Sequence, residues 1–190
     1  MRIISGKFRG KIIEAPTTLP VRPTTDFAKT GLFNMLDSRY TISKLAVLDL
    51  YSGTGSLSYE FFSRGATSVT SVDKDSGCIK FIRKIIEVLQ AGKNIQPVTD
   101  DALHFLKMTN SVYDIIVADP PFEITPAAEL VALIFERKLL KKEGVFILEH
   151  ESKKKLDALP YFREKRKYGN ITFSFFDEAS AAAKDSSIIS

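Results

Sequence analysis

The chain has 190 residues and a net charge of +4, with 44% hydrophobic and 26% charged residues, a balance typical of one globular domain. One cysteine rules out an intrachain disulfide framework, and with only two histidines we expect no metal site and a reducing, cytoplasmic compartment. No apolar run approaches membrane-spanning length, and the first residues do not read as a signal peptide, so we expect no membrane association.

Residues 1–40 predict a small basic extension made of a β-hairpin and a helix. Two short β-type runs, 2–5 and 11–14, flank the stretch GKFRG, and the proline-rich stretch 15–23 should be extended. Thr24, Thr25 or Asp26 can cap the helix that follows. Residues 1–44 hold eight Lys and Arg against three acids, which suits a polyanionic partner, although such runs are also typical of solvated faces.

From Leu45 onward, buried strands alternate with helices. Runs rich in Val, Ile and Leu predict strands at 45–50, 67–73, 94–100, 113–119 and 144–150. Helical spacing predicts helices at 56–64, 75–91, 101–108 and 126–141. This alternation predicts an α/β fold, in which a mostly parallel sheet carries helices on both faces.

The C-terminal part should complete the sheet. We expect a short helix near 152–158, then two antiparallel strands joined by a turn at Tyr168–Asn170, which makes seven strands in all. Residues 153–167 again carry a net charge of +5. The core domain is expected to span 41–176, and the tail 177–190 has no clear pattern and should be frayed.

The first strand of the core ends in a glycine-rich loop. In open α/β sheets ligands bind beyond the carboxyl ends of the strands, so these ends carry the candidate site. The loop has the spacing D-x-x-x-G-x-G at Asp49, Gly53 and Gly55. The third glycine of a dinucleotide fingerprint is missing, because Ser58 stands there. This spacing favours S-adenosylmethionine, which has no pyrophosphate, over NAD, although a glycine turn can also be purely structural.

Acids also end the second and third strands. Asp73 is placed to accept hydrogen bonds from ribose hydroxyls, with Asp75 as the alternative unless it caps the next helix. Asp100 or Asp101 would lie near the adenine. We favour Asp101 for the ligand and expect its neighbour to cap a helix. Three acids at successive strand ends indicate S-adenosylmethionine more specifically than any one of them.

The fourth strand ends in Asp119-Pro120-Pro121-Phe122, which predicts chemistry on an exocyclic amine of a nucleobase. Such an amine is a poor nucleophile, and acceptors aimed at its N–H groups can direct its lone pair at a methyl donor. The Asp119 carboxylate and the Pro120 carbonyl would be those acceptors, and Phe122 could stack on a flipped base. The alternative is a proline-stiffened loop with a core phenylalanine.

Two motifs resemble known enzymes. DLYSGTGSL, residues 49–57, resembles the first motif of class I S-adenosylmethionine-dependent methyltransferases, and DPPF resembles their amino-methyltransferase motif. MRIISGKFRGKII, RPTTD at 22–26 and LFNML at 32–36 resemble the RsmD-like family of bacterial 16S rRNA guanine-N2 methyltransferases. The resemblance runs from Arg2 to about Phe176.

The resemblance implies a Rossmann-like fold and methyl transfer to the N2 amine of a guanine in 16S rRNA, at position 966 in the usual rRNA numbering. The partner would be the small subunit or an assembly intermediate, the product S-adenosyl-L-homocysteine, and the protein a monomer. Base-holding residues would be Asp119, Pro120, Pro121 and Phe122. Cofactor contacts are implied at Asp49, Tyr51, Ser52, Gly53, Thr54, Gly55, Asp73, Lys74, Asp101, Ala102 and Asp119. RNA contacts are implied at Arg2, Lys7, Arg9, Lys11, Arg22, Thr24, Thr25 and Lys29.

The first helix departs from the family pattern. Phe27, Lys29 and Thr30 stand where the family often has two arginines and a glutamate. Gly31 replaces a usual alanine, which should weaken the helix by roughly 1 kcal/mol.

Two alternative functions share the predicted fold. One is a DNA or RNA amino-methyltransferase that acts on adenine or cytosine. The absence of a large target-recognition insertion argues against it. The other is an inactive nucleic-acid-binding protein. The intact motif residues argue against it: Gly53, Gly55, Asp73 and Asp119.

Overall fold

The computed structural model describes residues 1–19, 25–121 and 126–180, and within these ranges the chain forms a seven-stranded sheet with helices on both faces. The helices are Asp26–Arg39 (α1), Ser56–Ser63 (α2), Ser76–Leu89 (α3), Ala102–Met108 (α4) and Ala127–Glu136 (α5). The strands are Ala46–Leu50 (β1), Ser68–Asp73 (β2), Ile95–Thr99 (β3), Tyr113–Ala118 (β4), Leu140–Glu151 (β5), Phe162–Tyr168 (β6) and Ile171–Phe176 (β7).

The strand order is β3-β2-β1-β4-β5-β7-β6, and β1 to β5 are parallel. The hairpin of β6 and β7 closes the sheet, with β7 antiparallel to both of its neighbours. The order reverses between β1 and β4, and this is where ligands bind in sheets of this kind. The predicted α/β class and the seven strands are confirmed.

Two hydrophobic layers enclose the sheet. The first contains the buried faces of α1, α2 and α3. It also contains Ile3 and Ile13 from residues 1–19, which we call the N-terminal segment. The second contains α4 and α5 on the opposite face. The two middle strands β1 and β4 are almost wholly buried, because both faces are covered. Their high Val, Ile and Leu content follows from that burial.

Several local predictions differ from the structure. The helix predicted over 126–141 ends at Glu136, because Lys138 turns in a left-handed conformation and Leu140 pairs with Tyr113 as the start of β5. The helix predicted near 152–158 is wrong, and those residues form turns. The predicted N-terminal hairpin is reduced to one antiparallel bridge between Arg2 and Ile12. Residues 17–18 of the stretch 15–23 turn instead of extending, and residues 20–23 of that stretch lie outside the described residues.

None of the helices in the described ranges is long and apolar enough to cross a membrane.

Candidate active site

The candidate site lies at the carboxyl edge of the sheet, where β1 and β4 end side by side. Leu50 pairs with Ala118, and the backbone N–H of Asp119 donates to the carbonyl of Leu50 at 3.4 Å. The loop after β4 therefore begins against the loop after β1. This brings Asp119 beside the glycine-rich loop.

Asp73 ties the glycine-rich loop to the end of β2. Its Oδ2 accepts a hydrogen bond from the Gly53 N–H at 2.8 Å, and its Oδ1 accepts one from the Asp75 N–H at 2.8 Å. Gly53 and Gly55 have positive φ angles of 52° and 82°, which glycine adopts without steric cost. Asp75 caps α3 by accepting from the Cys78 N–H. Asp75, the alternative candidate for the ribose, therefore has a structural role as a helix cap. Asp73 remains the residue predicted to bind the ribose.

Asp49 lies beneath the loop rather than at its surface. Its side chain is buried, and Oδ2 accepts a hydrogen bond from the Ser58 hydroxyl at 2.5 Å. Ser58 is also 2.7 Å from the Ser71 hydroxyl of β2. Burial raises the pKa of Asp49 to about 7, and the negative charges of Asp73 and Asp119 add to that rise. Asp49 therefore supports the start of α2 from below, and its predicted contact with a cofactor stays a prediction.

Two acids follow β3, and the one that caps the next helix is Asp101, whereas we expected Asp100. Asp101 caps α4, because its Oδ1 accepts from the N–H groups of Leu103 and His104. Asp100 instead pairs with the His104 ring at 2.8 Å. The expectation that Asp100 would be the cap is wrong, since the helix begins at Ala102, one residue after Asp101. A cofactor contact of Asp101 and Ala102 stays a prediction.

Asp119 is the carboxylate closest to the predicted chemistry. Burial raises the pKa of its carboxyl to about 6. Pro120 is buried and Pro121 is exposed, so the backbone leaves the sheet at once. Phe122 lies outside the described residues, and its stacking role is a prediction. A carboxylate with a pKa near 6 can accept hydrogen bonds at neutral pH and is basic enough to take a proton.

Two buried hydroxyls make the glycine-rich loop a polar cradle. Ser52 lies within the loop, and Tyr59 lies on α2, with its hydroxyl 2.8 Å from where a Cβ on Gly55 would lie. The Ser52 hydroxyl is buried and, within the described part of the chain, has no hydrogen-bond partner, and the same holds for the Tyr59 hydroxyl. A buried polar atom without a partner is costly, and a bound polar group would relieve that cost. S-adenosylmethionine offers carboxylate, ammonium and ribose groups, so the loop fits this cofactor.

An open cleft of about 570 Å³ lies between this loop and the N-terminal segment, a size typical of small-molecule sites. Its lining residues come from both sides: Met1, Glu14, Ala15, Pro16, Thr17, Leu19 and Thr54. Leu19 also comes close to Gly77 at the start of α3, 3.2 Å from where a Cβ would lie. The N-terminal segment therefore runs over the cradle and shapes the space beside it.

A buried ionic network, missed by sequence reasoning, holds the N-terminal segment in place. Glu60 of α2 is fully buried and accepts hydrogen bonds from the backbone N–H groups of Ile4 and Ser5, at 2.7 and 3.0 Å. The Arg64 guanidinium binds the same carboxylate at 2.8 Å. Ser63 accepts from the Phe8 N–H at 2.9 Å. The available signal was a lone glutamate within the apolar helix SLSYEFFS.

The prediction that Lys29 binds RNA is wrong. Its side chain is 1% exposed, and Nζ donates to the Arg2 carbonyl at 2.6 Å and to the Ser56 hydroxyl at 3.2 Å. Glu60 lies 3.8 Å from the same amine. Burial lowers the pKa of Lys29, and Glu60 opposes that shift. Lys29 joins α1, α2 and the N-terminal segment, and no part of it is available to a polyanion.

Comparison with known proteins identifies the family. Residues 1–177 match the family model described as conserved hypothetical protein 95. Ribosomal RNA small subunit methyltransferase D of Buchnera aphidicola subsp. Baizongia pistaciae is 35% identical over 152 residues, which cover 80% of this chain and 76% of that protein. The chain belongs to the RsmD-like family of methyltransferases.

Two matches from Escherichia coli cover nearly the whole chain. Ribosomal RNA small subunit methyltransferase D of Escherichia coli K12 is 28% identical over 188 residues, which cover 97% of this chain and 93% of that protein. The solved structure titled putative methyltransferase YhhF from Escherichia coli superposes with a TM-score of 0.82 at 27% identity, covering 93% of this chain and 96% of that one.

A more distant solved structure shares the fold alone. The Thermus thermophilus 16S rRNA N2 G1207 methyltransferase RsmC, in complex with AdoMet and guanosine, gives a TM-score of 0.65 at 24% identity, covering 84% of this chain and 45% of that one. The Rossmann-like class I methyltransferase fold expected for the RsmD-like family is confirmed.

The remaining predicted RNA contacts differ in their setting. Lys7 and Arg9 are exposed on the turn of the N-terminal segment, Lys11 is half-buried there, and exposed Arg2 forms an ion pair with Asp26 at 3.2 Å. Thr25 caps α1 by accepting from the Ala28 N–H. Arg22 and Thr24 lie outside the described residues. Two predicted cofactor contacts lie near the glycine-rich loop in sequence: Lys74 is exposed and Tyr51 is half-buried.

Across 1–19, 25–121 and 126–180, no group of three or more His, Cys, Asp or Glu side chains could hold a metal ion.

Proposed function

We propose that this RsmD-like protein transfers a methyl group from S-adenosyl-L-methionine to the exocyclic N2 amine of a guanosine in 16S rRNA, position 966 in the usual rRNA numbering. The proposal includes action on the small subunit or its assembly intermediate, as a metal-independent monomer in the cytoplasm. The relatives named ribosomal RNA small subunit methyltransferase D support the RNA class and the reaction.

The observation that carries the proposal is the position of Asp119. Its backbone is bonded to Leu50 at the end of β1, and the glycine-rich loop follows directly after that strand. Asp73 holds that loop at Gly53. A carboxylate at this point lies between a cofactor cradled by the loop and a base that enters from the open edge.

The proposed mechanism needs positioning and hydrogen-bond acceptors. S-adenosylmethionine supplies an electrophilic methyl group on a sulfonium. Asp119 and the Pro120 carbonyl would accept hydrogen bonds from the two N–H groups of the guanine amine, and the nitrogen lone pair would then point at the methyl carbon. Asp119 would take up one proton from the amine once it is methylated and would release that proton to solvent.

The acids around the loop supply electrostatic fit. Asp73 and Asp119 place negative charge where the sulfonium and ammonium of the cofactor would lie. Asp73 uses both oxygens to hold backbone N–H groups, and each carboxylate oxygen retains a second lone pair for a ribose hydroxyl. The unpartnered Ser52 hydroxyl would bind the polar tail of the cofactor.

Two amine substrates compete with guanine in this proposal. Adenine and cytosine also carry an exocyclic amine, and the D-P-P-F sequence does not distinguish the three bases. The family assignment favours guanine in small-subunit rRNA over a DNA base. An inactive fold is disfavoured, because the glycine-rich loop retains its tie to Asp73 and Asp119 keeps its place beside it.

The test uses labelled S-adenosylmethionine with 16S rRNA or 30S particles that lack the modification, followed by nucleoside analysis. We expect label in N2-methylguanosine alone, and comparison of naked rRNA with particles identifies the preferred substrate. Label in N6-methyladenosine would overturn the choice of base. Absence of both transfer and cofactor binding would favour the inactive fold.

A further inference from the structure

We propose that Phe27, supported by Tyr168, is a platform on which an unpaired nucleobase flanking the target guanosine stacks. This inference rests on the proposed function and adds a substrate-positioning surface at the far end of the same edge of the sheet.

Phe27 is a large apolar side chain that the fold leaves in solvent. It is 69% exposed on the first turn of α1, although the other face of that helix is fully buried. A single exposed apolar residue is ordinary in a folded protein. This ring differs because it is held: its centroid lies 5.9 Å from that of Tyr168, with the rings at 79° in an edge-to-face arrangement.

Gly31 makes the support possible. A Cβ at Gly31 would lie 2.0 Å from Cε1 of Tyr168, so the tyrosine ring occupies space that any other residue would fill. Tyr168 is fixed on its other side by Phe173, at 5.9 Å between centroids. Tyr168 is therefore held between Gly31 and Phe173, and its edge-to-face contact restricts the Phe27 ring. A restricted ring loses less conformational entropy when a base stacks on it than a free side chain does.

The pair lies at the same edge of the sheet as Asp119. β5 and β6 are both antiparallel to β7, so β6 runs parallel to β5 and ends, at Tyr168, on the carboxyl edge. At about 4.8 Å between strands, the three steps from β4 to β6 amount to roughly 14 Å. That is too far for the base being methylated and suits a nucleotide beside it.

Cations flank the platform, and this charge selects RNA as the occupant. Arg2 is exposed and reaches Asp26 at 3.2 Å, next to Phe27 in the helix. Arg166 precedes Tyr168 by two residues on β6 and therefore lies on the same face of that strand, where it is exposed and pairs with Glu164 at 2.6 Å. An aromatic face bordered by cations is the arrangement that binds single-stranded nucleic acid, where bases stack and phosphates pair with the charges.

The chain contains no tryptophan, so one introduced tryptophan reports on its own surroundings. Phe27→Trp places a probe on the platform, and Val88→Trp places a control on α3, where the native side chain is 55% exposed. Titration with unmodified 16S rRNA should quench the fluorescence of the Phe27→Trp variant and leave that of the Val88→Trp variant nearly unchanged. Equal fluorescence quenching in the two variants would contradict the proposed stacking on Phe27.

Kinetics provide the second readout. Phe27→Leu removes the ring but keeps an exposed apolar residue, so KM for RNA should rise roughly 5- to 150-fold, the usual range for one stacked base. The kcat at saturating RNA and the affinity for S-adenosylmethionine should stay at wild-type values. An unchanged KM would contradict the platform. A wild-type protein that methylates no guanosine would instead overturn the proposed function, while fluorescence quenching would still report stacking.

Discussion

Asp119 carries the chemistry at the scale of single residues. Asp119→Asn keeps the size of the side chain and removes its negative charge, so we expect kcat/KM to fall by about 10²- to 10³-fold. Cofactor affinity, measured by calorimetry, should fall by a much smaller factor than kcat/KM, because Asp73 keeps its negative charge beside the cofactor. A large loss of cofactor binding with normal turnover at saturation would mean that Asp119 holds the cofactor instead.

The same residue predicts the pH dependence of the wild-type reaction. The acceptor is the deprotonated carboxylate, and burial raises its pKa to about 6. The value of kcat/KM should therefore fall about tenfold per pH unit below 6 and level off above it. This acidic limb should be absent from the residual activity of Asp119→Asn, and a limb that persists would assign the titration to another group.

Lys29 tests the buried network. Lys29→Gln leaves the fully buried Glu60 carboxylate without one of its two cationic neighbours, which should lower the free energy of unfolding by roughly 3 kcal/mol. Lys44→Gln, at an exposed position, is the control and should change it by less than about 0.5 kcal/mol. Urea unfolding measures both. Wild-type stability in Lys29→Gln would contradict the structural role.

The N-terminal segment is the element that shapes the cleft, and its docking depends on Gly6. This glycine has φ +79°, and a Cβ on it would lie 1.9 Å from the Ser63 carbonyl oxygen. Gly10 has φ +84° with nothing within 4 Å of its Cβ position, so it is a matched control for the backbone strain alone.

We expect Gly10→Ala to cost about 1 kcal/mol and Gly6→Ala about 2 kcal/mol more, since the segment must leave α2 and lose the hydrogen bonds of Ile4 and Ser5 to Glu60. Gly6→Ala should also make the segment sensitive to trypsin at Lys7 and Arg9. Urea unfolding and limited proteolysis measure these effects, and equal results for the two variants would show that the docking contributes nothing.

The sequence predicted the elements that obey a local rule. Strand ends were predictable because the predicted strands end at Leu50, Asp73 and Asp119, within one residue of the observed ends. The choice between Asp100 and Asp101 failed, because a cap depends on a helix boundary known only to within a residue or two. The burial of Lys29 could have been predicted, since it shares the helical spacing of Leu32, Phe33 and Leu36.

Long-range contacts explain what local reasoning could not reach. Glu60 meets Ile4 across 56 residues of sequence, and no pattern within α2 shows that pairing. Gly31 was expected only to weaken α1, and the structure shows that it admits the ring of Tyr168, 137 residues further along the chain. Both features depend on which helices, strands and segments become neighbours in the folded chain.

At the scale of the whole molecule, charge should govern RNA affinity. Replacing Arg2, Lys7, Arg9 and Lys11 by Gln should weaken binding and reduce the slope of log K against log salt by about 0.7 for each phosphate that the protein no longer neutralises. A matched set of four lysines on the opposite edge of the sheet, changed in the same way, should leave the slope nearly unchanged: Lys44, Lys138, Lys141 and Lys142. Equal slopes for the two sets would assign the N-terminal cations to packing.

The central claim is that the protein methylates the N2 amine of one guanosine, with Asp119 as an acceptor for that amine. The most direct test compares two RNA substrates that differ only at the target nucleotide, one with guanosine and one with inosine, which lacks the exocyclic amine. We predict methyl transfer to the first, none to the second, and RNA affinities within a few-fold of each other. Transfer of label to the inosine position would contradict the account, because the methyl acceptor would then be an atom other than N2.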